Sequence, residues 1–256
     1  MKADKIFFFD IDGTLAIQGE TTPGNREALC GLKEAGYPTF ICTGRPPFYA
    51  KELYGDLVEG IVCCNGRAVV YRDQLIYSMP LGKEQMDHII SRFQALKLGY
   101  LFYSTDRVLI VDAPERINRY MASCYGAERI TGVREEIPYY SMDIFYNSEE
   151  HWKQAQEDLK DLLILNDHAG KGSADCSTFD FDKGTAVKFV LEHFGIDRDH
   201  AYAFGDGSND VVMMKAVGRG IAMGNGVEEV KQAAWKVTDT IENEGILKAL
   251  RAEGIL

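Results

Sequence analysis

The sequence predicts a doubly wound, parallel-sheet (Rossmann-like) α/β core with an α+β cap domain inserted into it. Two observations carry this. At both ends of the chain, short apolar runs alternate with helix-like segments, which implies parallel strands covered on both faces. Between them, helices mix with alternating strands and the rhythm breaks. The boundaries read as core 1–80, cap 81–179 and core 180–256.

In the first core part, KIFFFD (5–10) reads as a strand, and TTPGNREALCGLKEAG (21–36) as a helix with Thr22 at its N-cap, Pro23 in its first turn and Gly36 as its stop. PTFICTG (38–44) is the next strand, RPPFYAKELYGDL (45–57) a short helix and GIVCCNG (60–66) a third strand. AVVYRDQLIYSM (68–79) looks like a hairpin closed by Pro80. Cap helices are expected in 82–99, 114–126 and 148–163, and cap strands in YLFYSTDRVLIVD (100–112) and YYSMDIFYN (139–147). The core rhythm then returns. DKGTAVKFVLEHFG (182–195), SNDVVMMKAVG (208–218), VEEVKQAAW (227–235) and IENEGILKALRAEG (241–254) read as helices, around the strands HAYAFGDG (200–207), RGIAMGNG (219–226) and WKVTD (235–239).

Composition narrows the function classes. With 256 residues, 46% hydrophobic and 26% charged, the chain can bury a substantial core. Its 28 Lys and Arg against 39 Asp and Glu leave a net charge of −11, which argues against a nucleic-acid or anionic-membrane surface but not against a small anion in a local positive pocket. The start has too short an apolar run for a signal peptide, and no stretch approaches the roughly 18 residues of a membrane span. Six cysteines without a C-x-x-C pair read as reduced, buried small hydrophobes of a cytoplasmic protein, and five scattered histidines make no metal cage.

Chemistry in a parallel α/β sheet sits outside the carboxyl ends of the strands. Four places there carry polar residues. Asp10 and Asp12 close the first strand in DIDGT, where Gly13 lets the backbone turn; Asp and Gly also suit an ordinary turn. Thr43 and Gly44 follow the second strand, where a hydroxyl and exposed N–H groups could hold a phosphate oxygen or simply form a turn. Lys183 opens a helix, where a cation opposes the macrodipole unless an anion sits there. Asp206, Asn209 and Asp210 crowd oxygen donors around Gly207 in GDGSND, which suits Mg²⁺ or an Asx-rich turn.

Taken in order, FFFDIDGTL, ICTGR, Lys183 and GDGSND resemble the four motifs of the haloacid dehalogenase superfamily of phosphohydrolases. The insert between the second and third motifs, with CCNG before it and GIAMGNG after the last motif, resembles the Cof-like branch with the larger α/β (type II) cap. The resemblance implies an Mg²⁺-dependent phosphomonoester hydrolase acting on a small phosphorylated metabolite, such as a sugar or cofactor phosphate. It implies Asp10 as the nucleophile that forms an aspartyl-phosphate and Asp12 as the acid and base. Thr43, Gly44, Lys183 and Asn209 would hold phosphoryl oxygens; the Asp10 carboxylate, the Asp12 carbonyl and Asp206 would hold the metal; Asp210 would orient Lys183 or the metal's waters. Alternatives are a phosphomutase resembling phosphomannomutase, and a phosphate or Mg²⁺ binder without chemistry. The sequence leaves oligomeric state unread.

Two departures stand out. Asp175, Asp180 and Asp182 make the approach to Lys183 acidic and could pair with it, and Lys171 competes for the motif lysine. In the cap, Tyr100, Tyr103, Tyr139, Tyr140, Tyr146 and Arg107 could line a substrate pocket or serve the cap's own packing.

Overall fold

A computed structural model of the protein describes residues 4–168 and 170–256. The larger sheet has the strand order Lys236–Val237, Arg219–Ala222, Ala201–Gly205, Ile6–Phe9, Thr39–Cys42, Gly60–Cys63, Ala68–Tyr71, Gln74–Ser78. The first six of these run parallel, and the last two fold back as an antiparallel hairpin. From Ile6–Phe9 the chain winds outward first to one side and later to the other. The order therefore reverses between Ile6–Phe9 and Ala201–Gly205, and a crevice opens at the carboxyl ends of strands at such a switch point.

The central strand is buried on both faces. Phe7 and Phe9 pack with Ala28, Leu29, Leu32 and Leu250 from the helices Pro23–Glu34 and Gly245–Ala252. Ile6 and Phe8 pack with Val187, Val190 and Met213 from Lys183–Phe194 and Val211–Ala216 on the other side. Phe9 stacks on Phe204 with ring centroids 4.9 Å apart and planes at 11°, which locks the two strands whose ends carry Asp10 and Asp206. Local signals hold as read: the Thr22 hydroxyl accepts the Asn25 N–H, and Pro23 opens the helix.

A second, six-stranded sheet has the order Ile130–Thr131, Val108–Val111, Gly99–Tyr103, Ser141–Phe145, Ser173–Ser177, Ile164–Asp167. Helices Lys83–Ala95 and Glu149–Leu159 cover one face, where Phe93, Phe102, Ile144, Leu159 and Cys176 share a core. The other face turns toward the core domain, and Leu101, Tyr103 and Phe145 join a cluster with Ile117 and Met121 of helix Glu115–Tyr125. Buried Arg67 ties together both chain crossings between the two sheets. It donates to the Met79 carbonyl at 3.0 Å and pairs with Asp180 at 2.9 Å, and it also meets the Thr178 hydroxyl.

Three elements differ from the sequence reading in ways that matter here. Ile164–Asp167 and Ser173–Ser177 are paired strands, although Asp, Asn and Ser disfavour strands; pairing with Ser141–Phe145 overrides the local preference. The last helix is split: Glu244 takes a left-handed φ of 56°, leaving a 3₁₀ turn Ile241–Asn243 ahead of Gly245–Ala252. All six cysteines are free thiols, four of them buried. Among the described residues no helix is long and apolar enough to cross a membrane.

Because Phe8 is fully buried in the middle of the central strand, Phe8→Ala should lower unfolding free energy by about 3–5 kcal/mol, read from urea denaturation. A loss of under about 1 kcal/mol would show that the central strand is not closely packed.

Candidate active site

Asp10 follows directly on the central strand, and its N–H continues the ladder to the Phe204 carbonyl at 3.0 Å. Its carboxylate is gripped from below: Lys183 Nζ donates to Asp10 Oδ1 at 2.6 Å and to Asp210 Oδ1 at 2.7 Å. Lys183 is 1% exposed and Asp210 fully buried. Burial works against the lysine's charge, yet the two carboxylates outweigh it and raise its pKa. Asp10 is held well above the ordinary carboxylate range by burial and by Asp210, with Lys183 opposing.

Asp210 is itself pinned, because its Oδ2 accepts the N–H groups of Asp206 and Gly207 at 3.0 Å each. Asp206 receives the Thr14 hydroxyl on Oδ1 at 2.8 Å. Its carboxyl is pushed up to about 6, chiefly by burial. Gly13, with φ +90°, is required here twice over: only glycine adopts that turn freely, and a Cβ would sit 2.2 Å from Asp206 Oδ2. Among the described residues no donor reaches Asp10 Oδ2, Asp206 Oδ2 or the Asp12 carbonyl.

Oxygen atoms of Asp10, Asp206 and Asp210 lie within 4.8 Å of one another. Hard carboxylate oxygens at this spacing suit a small divalent cation. Asp210 already accepts on both oxygens, so Asp10, Asp206 and the free Asp12 carbonyl are the better donors.

On the other flank, the Thr43 hydroxyl accepts the Arg45 N–H at 3.1 Å, which leaves its own proton to donate. No acceptor takes the Gly44 N–H among the described residues. Asn65, left-handed at φ 53°, backs this loop, with a buried Oδ1 that has no hydrogen-bond partner among the described residues. Asp12 is half exposed, and Arg45 forks onto it, Nε to Oδ2 at 2.9 Å and Nη2 to Oδ1 at 3.1 Å.

The core residues of the four motifs gather at one cavity of about 990 Å³. Asp10, Asp12, Thr43, Gly44, Asp206 and Asn209 line it from the core, and Lys183 stands directly behind Asp10. Lys183, not Lys171, is the lysine that pairs with Asp10; Lys171 is exposed at the cavity's cap side. Nor do the nearby acids capture Lys183. Asp180 pairs with Arg67, Asp182 caps the helix by accepting the Thr185 N–H at 2.7 Å, and Asp175 faces His168.

Sequence reasoning missed Thr14, Arg45, Asn65 and Asn225, whose Nδ2 donates to the Gly13 carbonyl at 2.8 Å. All four lie inside quoted motifs, so their positions were visible but their contacts were not. Of the five cap tyrosines named, Tyr103 alone lines the cavity, joined by Tyr120 and Tyr125. Arg107 is spent on the Glu128 carbonyl at 2.8 Å.

The chain is similar to known proteins along nearly its whole length. A family model described as haloacid dehalogenase-like hydrolase matches residues 7–250. A Bacillus subtilis 5-amino-6-(5-phospho-D-ribitylamino)uracil phosphatase is 37% identical, over 94% of each chain. An Archaeoglobus fulgidus phosphoglycolate phosphatase is 26% identical over 98% of each. The solved structure of a sugar phosphatase of haloacid dehalogenase subclass IIB superposes with a TM-score of 0.82 at 26% identity, covering 98% of this chain and 100% of that one.

Removing the buried ammonium isolates two carboxylates, so Lys183→Met should destabilise the fold by about 3–5 kcal/mol in urea unfolding. Adding Asp210→Asn to that variant should recover part of the loss, because one unpaired charge goes with it. Losses that simply add would contradict a shared buried charge cluster.

Proposed function

Because the chain belongs to the haloacid dehalogenase-like hydrolase family, in its Cof-like branch, and is a phosphatase, we propose that it hydrolyses a small phosphorylated metabolite through an aspartyl-phosphate on Asp10. The observation that carries this reading is the Lys183 ammonium, fixed 2.6 Å from one Asp10 oxygen while the other receives no donor among the described residues. Such a carboxylate cannot swing away, and it presents one free oxygen at the sheet's switch point.

Asp10 attacks phosphorus and the bond to the leaving alkoxide breaks; Asp12 gives that oxygen a proton. A water then attacks the phosphorus, Asp12 takes its proton, and the Asp10–phosphorus bond breaks to release inorganic phosphate. In the structure Asp12 is held by Arg45, so it reaches the leaving oxygen only once that fork opens. Thr43, Gly44, Lys183 and Asn209 position phosphoryl oxygens and offset their charge, which is most of what phosphoryl transfer asks of a protein. Asp10, Asp206 and the Asp12 carbonyl would hold Mg²⁺, which generally serves this family's phosphatases. When bound, it shields the anionic phosphoryl group from the anionic nucleophile. Asp210 fixes Lys183 and the turn at Asp206.

Phosphate release from p-nitrophenyl phosphate and a panel of sugar and cofactor phosphates should require Mg²⁺ and vanish with chelator. Asp10→Asn should lower kcat by at least about 10³-fold, as expected when a covalent nucleophile is lost. Release that persists in Asp10→Asn would sink the covalent route.

Mg²⁺ affinity should also follow pH. In the metal-free protein Asp206 is protonated below about 6, and Asp10 is raised in the same sense, so protons compete with the cation on the acid side. Calorimetric titration between about pH 5 and about pH 8 should show affinity falling roughly tenfold or more per unit below about 6. An affinity indifferent to pH would contradict this ligand set.

A further inference from the structure

We propose that the turn 223–227 straps together the two loops that bear the cation donors, and that Asn225 is the positioning residue in it that keeps the Asp12 carbonyl in place. The inference rests on the reading above, in which Asp10, Asp206 and the Asp12 carbonyl are those donors. It gives a role to the GIAMGNG stretch, which the chemistry leaves without one.

The two loops come from opposite ends of the sequence and meet at the sheet's switch point. Turn 223–227 leaves the neighbouring strand Arg219–Ala222 and reaches both of them. The Met223 N–H donates to the Gly205 carbonyl at 3.0 Å, and the Val227 N–H to the Asp206 carbonyl at 2.9 Å. Between these two bonds, Asn225 Nδ2 donates to the Gly13 carbonyl at 2.8 Å. The turn is moored from behind. Gly224 N–H donates to the Asp239 carbonyl at 3.0 Å, and Asn225 Oδ1 accepts the Ile241 N–H at 2.9 Å. A carbonyl only accepts and an N–H only donates, so these partners settle which end of the amide faces Gly13. Gly226 N–H closes the turn on the Met223 carbonyl at 2.9 Å, and a Cβ on Gly226 would come within 3.1 Å of the Asp206 carbonyl.

Peptide geometry says why Gly13 needs such a hold. The Asp12 carbonyl and the Gly13 N–H share one planar trans unit. That N–H donates to the Ala16 carbonyl at 2.9 Å, so the Asp12 carbonyl is aimed the opposite way. The next unit hangs on a glycine at φ +90°, the residue with the freest backbone. Its own N–H, on Thr14, reaches the Ile11 carbonyl at 3.2 Å. Its carbonyl has Asn225 as its one donor among the described residues. Losing that donor frees the glycine to rotate, and the Asp12 carbonyl moves relative to Asp206. Fold stability accounts poorly for this amide. Asn225 is exposed, and water competes for both of its hydrogen bonds. Spacing is also what separates cations, because Mg²⁺ demands near-ideal octahedral geometry whereas Ca²⁺ accepts looser arrangements.

Calorimetric titration of the metal-free protein with Mg²⁺ and with Ca²⁺ tests the strap in wild type, Asn225→Ala and Asn243→Ala. Asn225→Ala should bind Mg²⁺ about tenfold more weakly, as loss of an outer partner of a metal ligand implies. Its Ca²⁺ affinity should fall by less than about threefold, so the preference between the two ions shifts. Asn243→Ala removes an exposed hydrogen bond on the far side of the mooring segment, from Nδ2 to Asp239 Oδ1 at 3.1 Å. It should leave both affinities within about twofold. With p-nitrophenyl phosphate, excess Mg²⁺ should restore most of the kcat of Asn225→Ala. Mg²⁺ affinity unchanged within about twofold in Asn225→Ala, or an equal loss for both cations, would overturn the proposal and leave the turn a stabilising role. The titration needs no substrate, so it decides the strap even where wild type releases no phosphate and the hydrolase reading fails. A wild type that binds neither cation would remove the donors and overturn the strap with them.

Discussion

An ammonium group taken out of water persists only where its charge is matched, and in this protein Lys183 lies buried between Asp10 and Asp210. Much of the site depends on that cluster. It fixes the Asp10 carboxylate at the end of the central strand. It also draws the loop after Ala201–Gly205 inward, because Asp210 spends its second oxygen on the N–H groups of Asp206 and Gly207. Asp206 is thereby set beside Asp10, with Thr14 as its lateral support. The helix that begins at Lys183 contributes a second constraint. Asp182 caps it, so the lysine enters from the first turn and cannot slide along the surface.

The core of this arrangement was legible in the sequence because each part is local. An apolar strand ending in Asp, a Gly that permits the turn, and a cluster of Asp and Asn around Gly207 all declare themselves within a few residues. What joins them is the strand order, which reverses between Ile6–Phe9 and Ala201–Gly205; the alternation of strand and helix implied a parallel sheet but not that order. Contacts between motifs were not legible. Nothing in the letters says that Arg45 grips Asp12, that Thr14 reaches Asp206, or that Asn225 braces Gly13. Each links residues that only folding brings together.

The cap hid more. Ser173–Ser177 carries Asp, Cys and Ser, and a reading by propensity makes it a loop; the strand exists because Ser141–Phe145 offers an edge to pair with. Asp143 was overlooked and Asp175 was read only as a neighbour of Lys183, since the face they share is a product of the pairing. The tyrosines that the sequence did offer mostly serve the cap itself. Tyr139 accepts the Glu135 N–H, Tyr140 bonds Ser78, and Tyr100 packs on Phe93. The core thus sets up the chemistry that the family shares, and the cap supplies a separate surface of its own over the same cavity.

The most direct measurement is capture of the covalent intermediate. Wild-type protein in single turnover with Mg²⁺ is quenched in acid, reduced with borohydride and mapped by peptide mass spectrometry. The account predicts homoserine at position 10, in place of Asp10, appearing and then decaying as phosphate is released. Phosphate release with position 10 unmodified at every time point would contradict it.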